Sequence, residues 1–89
     1  MGARYRLSGE IDMANVAELR ADLSGLIATT NEPLEIDCTD LLFIDSQGVH
    51  ALVDAATALN AKGLRLSLIN VGDDRRWVFQ TLGLDDLLG

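Results

Sequence analysis

The stretch Leu34–Leu59, LEIDCTDLLFIDSQGVHALVDAATAL, changes its hydrophobic period part-way along. Leu34, Ile36 and Cys38 alternate with Glu35 and Asp37, the period of a half-buried strand. Thr39-Asp40 turns, and Leu41-Leu42-Phe43-Ile44 is a short apolar approach to the polar cluster Asp45-Ser46-Gln47-Gly48. From Gln47 to about Lys62, Val49, Leu52, Val53, Ala56 and Leu59 recur at the spacing of one helix face, and Gly63 is placed to stop that helix.

The same alternation of periods runs outward in both directions. Arg4 to Ser8 reads as a strand with Tyr5 and Leu7 on one side, and Gly9-Glu10-Ile11-Asp12 reads as a turn. Val16, Leu19, Leu23, Leu26 and Ile27 then share one helical face. Asn15 followed by Glu18 resembles a capping box, with Asp12 as a second candidate start. Gly25 costs this helix up to about 1 kcal/mol relative to Ala, so its last turn is expected to fray. Thr29-Thr30-Asn31-Glu32-Pro33 breaks it with the chain's single proline. Leu64 to Val71 is a third strand, with Leu64, Leu66 and Leu68 facing one way. Gly72-Asp73-Asp74 opens a further helix whose N-terminal acids suit the macrodipole. Val78, Phe79 and Leu82 give it an apolar contact, Gly83 ends it, and Leu84, Leu87 and Leu88 suggest one final turn.

Strands alternating with helices imply parallel pairing through right-handed crossovers. A sheet covered on both faces would carry continuous Val/Ile/Leu runs, whereas these strands alternate. The expected fold is therefore α/β: one small domain over residues 1–89, its sheet mostly parallel, its helices mainly on one face.

The 89 residues are 48% hydrophobic and 24% charged, a globular composition. A domain of this size buries only roughly 60–65% of its unfolded surface, so single core losses are felt. Seven basic against fourteen acidic residues give a net charge of −7. That balance argues against nucleic acid or an anionic membrane as partner and suits a protein with a basic or mixed face. Cys38 is the only cysteine and His50 the only histidine, which excludes an internal disulfide and a closed metal site; Cys38 reads as a small core side chain. The N-terminus is no signal peptide, and no run approaches the roughly eighteen apolar residues of a membrane span. The default is a cytoplasmic protein without a cofactor.

Ser46 sits where a helix N-cap belongs, and a cap needs no further purpose. Three neighbours point beyond capping. Gly48 places no side chain in the first turn and so leaves the Ser46 hydroxyl open to another protein. Asp45 adds a charge with no partner visible in sequence, and free N–H groups at a helix start tolerate a phosphate. A catalytic Ser46 would need His50 as its base, one turn further along the helix flank, and the residues read I-D-S-Q-G, not G-x-S-x-G. Asp37, Asp40, Asp45 and Asp54 read as turn and surface acids, not as a catalytic pair. No enzymatic activity is expected. Ala51, Ala55 and Ala58 form a small-residue strip that suits either a partner helix or plain helix propensity. Trp77 reads as a partly buried prop, and Arg75-Arg76 as a helix-surface pair.

The segments GEIDMANVAELRADL, IDCTDLLFIDSQGVHALV and GLRLSLINV together resemble the STAS domain of bacterial anti-sigma factor antagonists, over nearly the whole chain. The family pattern is G-E-x-D before the first helix and F-x-D-S-[ST]-G before the second. The chain matches at Gly9, Glu10, Asp12, Phe43, Asp45, Ser46 and Gly48, and departs at Gln47. It is shorter than the family norm, so an N-terminal strand before Arg4 and a last strand after Leu88 are expected to be missing. The resemblance implies a regulator that binds, unphosphorylated, an anti-sigma factor with serine-kinase activity, so that sigma factor goes free. The kinase then phosphorylates the motif serine and a phosphatase resets it. On this chain Ser46 would be the phosphoacceptor, with Asp12, Asp45, Gln47 and Gly48 on the partner-binding face. The resemblance implies neither nucleic acid nor membrane as partner, and no oligomeric state follows from it.

Two other readings compete. A STAS module that only scaffolds, within a transport complex, would carry no phosphate switch. An acyl carrier protein is also small and acidic, with Asp-Ser heading a helix. Those are all-helical, however, and the alternating LEIDC and LRLSLINV segments speak against one.

Overall fold

The structure is a computed structural model that describes residues 3–81 and Leu87. In chain order its elements are β1 (Ala3–Arg6), β2 (Gly9–Ile11), α1 (Val16–Thr29), β3 (Leu34–Asp37), β4 (Leu41–Ile44), α2 (Ser46–Ala61), β5 (Leu66–Ile69) and α3 (Asp73–Thr81). The strands form two ribbons, β1-β3-β5 and β2-β4, and every pairing is parallel.

The alternation that marks β1, β3 and β5 in sequence becomes the two faces of the larger ribbon. Register aligns Tyr5, Ile36 and Leu68 in one row and Ala3, Leu34 and Leu66 in the next. Those rows line the core, with Leu34, Ile36, Leu66 and Leu68 fully buried. The intervening row, Arg4, Glu35 and Ser67, faces water, and Arg4 pairs with Glu35 at 3.1 Å. The sheet is thus apolar on one side and wet on the other.

Helix α2 packs on β4 and β5, and α1 packs on α2. Leu19, Leu23 and Ile27 of α1 meet the face of α2 carrying Leu52, Ala55 and Leu59, all of them in one core cluster. Burying each such leucine contributes about 1.5–3 kcal/mol. The alanine strip has its partner within the chain: Ala51 and Ala55 are buried, and with Ala58 they line the groove against Leu23, Ser24 and Ile27 of α1. The Arg20–Asp54 ion pair at 2.8 Å closes that groove at its rim. Lys62, beyond the end of α2, donates to the carbonyls of Ile27 at 2.6 Å and Thr30 at 2.7 Å. It thereby satisfies carbonyls that the end of α1 leaves open. Gly63 then takes the left-handed conformation, φ 76°, as its place after the helix predicts.

Several expectations are corrected. Gly9–Ile11, read as a turn, is strand β2, and the apolar approach Leu41–Ile44 is its partner β4. Helix α1 continues through Thr29 past Gly25. Asn15 is the N-cap residue of α1 but makes no side-chain cap; its amide accepts from the Asp12 N–H at 2.9 Å and donates to the Glu10 carbonyl at 2.6 Å. The loop before the helix takes the side chain that a capping box would have used. Asp37, read as a turn or surface acid, is buried, and it accepts from the Thr39 hydroxyl, the Thr39 N–H and the Asn70 amide. Those bonds, led by the Thr39 hydroxyl, hold its carboxyl at about 2, below the usual carboxylate value. Trp77 is exposed, and the buried anchor of α3 is Phe79. Leu87 packs against the core, whereas Leu82, Gly83, Leu84 and Leu88 lie outside the described residues.

Candidate functional site

The polar cluster lies where β4 hands over to α2. Asp45 has extended backbone, φ −96° and ψ −176°, and its Oδ1 accepts from the N–H of Gln47 at 2.9 Å and of Gly48 at 3.1 Å. The N-cap is therefore Asp45, not Ser46, which corrects the sequence reading. A carboxylate suits that post, because it meets both the orphan N–H donors and the positive end of the helix dipole. The charge that lacked a partner in sequence finds one in the backbone immediately after it.

Ser46 becomes the first residue of α2 and is exposed. Its hydroxyl has no hydrogen-bond partner among the described residues. Gln47 beside it is exposed as well. Gly48 is buried, and its role differs from the one read in sequence. A Cβ there would stand 2.6 Å from Ile44 Cγ1 and 2.8 Å from Ile11 Cγ2. The missing side chain lets the first turn of α2 settle onto the ends of β2 and β4; it does not clear a path to Ser46.

The loop after β2 joins the same end of the molecule. The Asp45 N–H donates to the Ile11 carbonyl at 3.0 Å, which sets Asp12 beside the start of α2. Asp12 is half-buried, and its Oδ1 accepts from the Ala14 N–H at 2.9 Å, fixing the loop. Asp12, Asp45, Ser46 and Gln47 thus gather on one end, with Gly48 beneath them.

Sequence reasoning missed the apolar surface beside this cluster. Leu42 is 67% exposed, Phe43 51% and Met13 78%. Two adjacent strand residues point to opposite sides, so exposure of both means that neither side of β4 is fully covered at that point. Among the described residues β4 pairs only with β2, and the Arg75 guanidinium of α3 donates to the Leu42 carbonyl along its other edge. An apolar run preceding a helix reads as core, and only the ribbon's outer position reveals otherwise.

The chemistry open to this arrangement is narrow. His50 is exposed one turn along α2 and makes no hydrogen bond to Ser46 among the described residues, so the hydroxyl has no base of its own. Cys38 is buried, and desolvation pushes its thiol up to about 11. Among the described residues no three His, Cys, Asp or Glu side chains come together to hold a metal ion, and no helix is long and apolar enough to cross a membrane. What remains is an accessible hydroxyl at the start of a helix.

Comparison with known proteins places these features. The STAS domain family model matches residues 3–88. The anti-sigma-B factor antagonist of Staphylococcus aureus is 26% identical over 83 residues, which cover 93% of this chain and 77% of that protein. The anti-sigma factor antagonist SpoIIAA in its unphosphorylated form superposes with a TM-score of 0.84 at 31% identity, covering 97% of this chain and 76% of that one. The phosphorylated form of SpoIIAA, a Bacillus cell fate determinant, gives 0.76 at the same 31% identity, with 97% and 78% covered. A sulfate transporter family protein from Wolinella succinogenes shares the fold, with a TM-score of 0.78 at 20% identity over 98% of this chain and 70% of that one. With the parallel ribbons, the covered face and the D-S-x-G helix start all in place, the chain belongs to the STAS domain family and is a homologue of the anti-sigma factor antagonists.

Proposed function

We propose that this protein is an anti-sigma factor antagonist: unphosphorylated, it binds an anti-sigma factor with serine-kinase activity, and phosphorylation of Ser46 ends that binding. The observation that carries the reading is the Ser46 hydroxyl, exposed and unbonded at the head of α2. Asp12, Asp45 and Gln47 flank it as the polar part of the docking face, and Gly48 serves that face by holding the first turn of α2 against Ile11 and Ile44. Exposed Leu42, Phe43 and Met13 supply apolar area next to it, the kind of patch a protein partner covers. Such a protein works in the cytoplasm, and a phosphatase returns it to the binding form.

The physics of the switch is asymmetric. A phosphate adds about −1.5 to −2 charge at pH 7. Against a carboxylate of a docked partner about 4 Å away, one unit charge is repelled by about 4 kcal/mol at an effective dielectric of 20. Half of that already lowers affinity more than about tenfold, since about 1.4 kcal/mol is one decade. Within the domain the same phosphate sits at an exposed position that makes no hydrogen bond, so the fold persists.

The test is phosphorylation by a purified anti-sigma kinase with ATP, read by mass. The unchanged protein gains one phosphate and Ser46→Ala gains none while still binding the kinase. A normal mass gain in Ser46→Ala would overturn the assignment. The likeness in fold to a sulfate transporter family protein, together with Gln47 in place of Ser or Thr, favours one second reading, a scaffolding STAS module without a switch. That reading predicts no phosphate with any anti-sigma kinase.

A further inference from the structure

Serine and aspartate are both good helix caps, and the motif offers one of each in adjacent positions. The fold assigns the duty to Asp45, whose Oδ1 takes the N–H groups of Gln47 and Gly48 at 2.9 and 3.1 Å. Two consequences follow for the neighbouring hydroxyl. Ser46 Oγ is engaged by nothing among the described residues and is free to be approached. A phosphate later placed on it meets a helix end where the N–H groups of Gln47 and Gly48 are already in use.

At an uncapped helix start those same donors, with the dipole, would hold a phosphate and neutralise part of its charge. Charge absorbed by the helix is charge withheld from a partner. We infer that Asp45 is a positioning residue of the switch: by occupying the Gln47 and Gly48 N–H groups it leaves the Ser46 hydroxyl free before modification and withholds those two donors from the phosphate after it. This rests on the reading of Ser46 as phosphoacceptor. It adds, to the place of Asp45 on the proposed docking face, a part in how strongly the phosphate acts.

Other charged groups share this end. Asp12 enters from the loop after β2, Glu10 lies on β2 opposite Phe43, His50 follows one turn along α2, and Arg75 of α3 reaches the Leu42 carbonyl. Among the described side chains only Asp45 bonds to the N–H groups of the helix start, so it is the residue that differs between the proteins compared.

The experiment installs phosphoserine at position 46 during synthesis, with no kinase involved, and follows its second ionisation by phosphorus NMR. Three proteins are compared: unchanged, Asp45→Asn and Asp45→Ala, each also with His50→Gln so that the imidazole charge does not enter. In the unchanged protein the phosphate is expected to ionise at or above the value of an unstructured phosphoserine, about 6. Asp45→Ala frees both donors and is expected to lower it by about half a unit or more, and Asp45→Asn, which still caps, falls between. Equal values in the Asn and Ala proteins, or an unchanged protein well below the unstructured value, would overturn the inference. The unchanged protein measured against unstructured phosphoserine keeps the test decisive if Asp45→Ala does not fold. Because the phosphate is installed directly, failure here leaves the kinase assignment standing, and failure of the kinase assay leaves this result standing.

Discussion

Replacing Asp45 or Ser46 by alanine, one at a time, measures which residue caps α2. Asp45 accepts two N–H groups, and the Gly48 donor is partly buried, so water compensates poorly when the acceptor goes. Loss of an Asp cap costs about 0.5–2 kcal/mol. The buried donor puts Asp45→Ala in the upper half of that range, about 1–2 kcal/mol. In a domain of this size, 1 kcal/mol moves Tm by about 4–8 °C, which predicts a fall of at least about 4 °C. Ser46 is exposed and unbonded, and alanine is the better helix former, so Ser46→Ala should stay within about 0.5 kcal/mol of the unchanged protein. Asp45→Asn keeps an acceptor oxygen and should lose only a few tenths.

Urea and thermal melts followed by circular dichroism separate these outcomes. The total stability expected for 89 residues is about 4–13 kcal/mol, so each variant remains folded enough to measure. Equal losses for Ser46→Ala and Asp45→Ala would mean that the serine shares the cap, and the argument for a free hydroxyl would fail with it. An Asp45→Ala protein that melts with the unchanged one would fail it too.

Gly48→Ala should destabilise by about 1 kcal/mol: crowding against Ile44 and Ile11 costs about 1–3 kcal/mol, and helix propensity returns up to about 1. In urea melts, Gly48→Ala combined with Ile44→Ala should lose less than the sum of the two single losses, because the clash is shared. Asp37 has a folded pKa of about 2 against an ordinary 3.8, so its bonds to Thr39 and Asn70 stabilise the fold above that ordinary value and are lost as pH falls toward 2. Asp37→Asn should flatten that limb of the urea midpoint against pH, and an unchanged limb would refute the assignment. Lys62→Met should cost about 1 kcal/mol by releasing the Ile27 and Thr30 carbonyls, seen as faster amide exchange at the C-terminal turn of α1.

The sequence made the larger ribbon legible because Leu34, Ile36, Leu66 and Leu68 alternate with residues that face water, a pattern only a one-sided sheet produces. It made α1 and α2 legible through their apolar faces. Strands β2 and β4 stayed hidden for different reasons. Gly9–Ile11 is three residues long and opens on a glycine with φ 74°, so local chemistry reads as a turn and only pairing with β4 makes it a strand. Leu41–Ile44 is apolar throughout, and composition alone does not say that Leu42 and Phe43 lie outside the core. At the site, the position of Ser46 was legible from the change of period, but the choice between adjacent caps was not. Both residue types cap well, and extended backbone at Asp45 with helical backbone at Ser46 decides between them.

That decision explains why four residues of different chemistry stand in a row. On the proposed function a partner needs a hydroxyl at a fixed point in space, yet any bond that fixes a hydroxyl also occupies it. The motif avoids the conflict by fixing the backbone instead. Asp45 ties the helix start from outside through two N–H groups, and Gly48 seats it from inside against Ile11 and Ile44. Ser46 is then placed by its neighbours with its hydroxyl bonded to none of them, and the Gln47 side chain beside it is exposed. Substitutions should therefore sort by readout: Ser46 and Gln47 change modification or binding with the melting curve intact, Gly48 changes the melting curve, and Asp45 changes both.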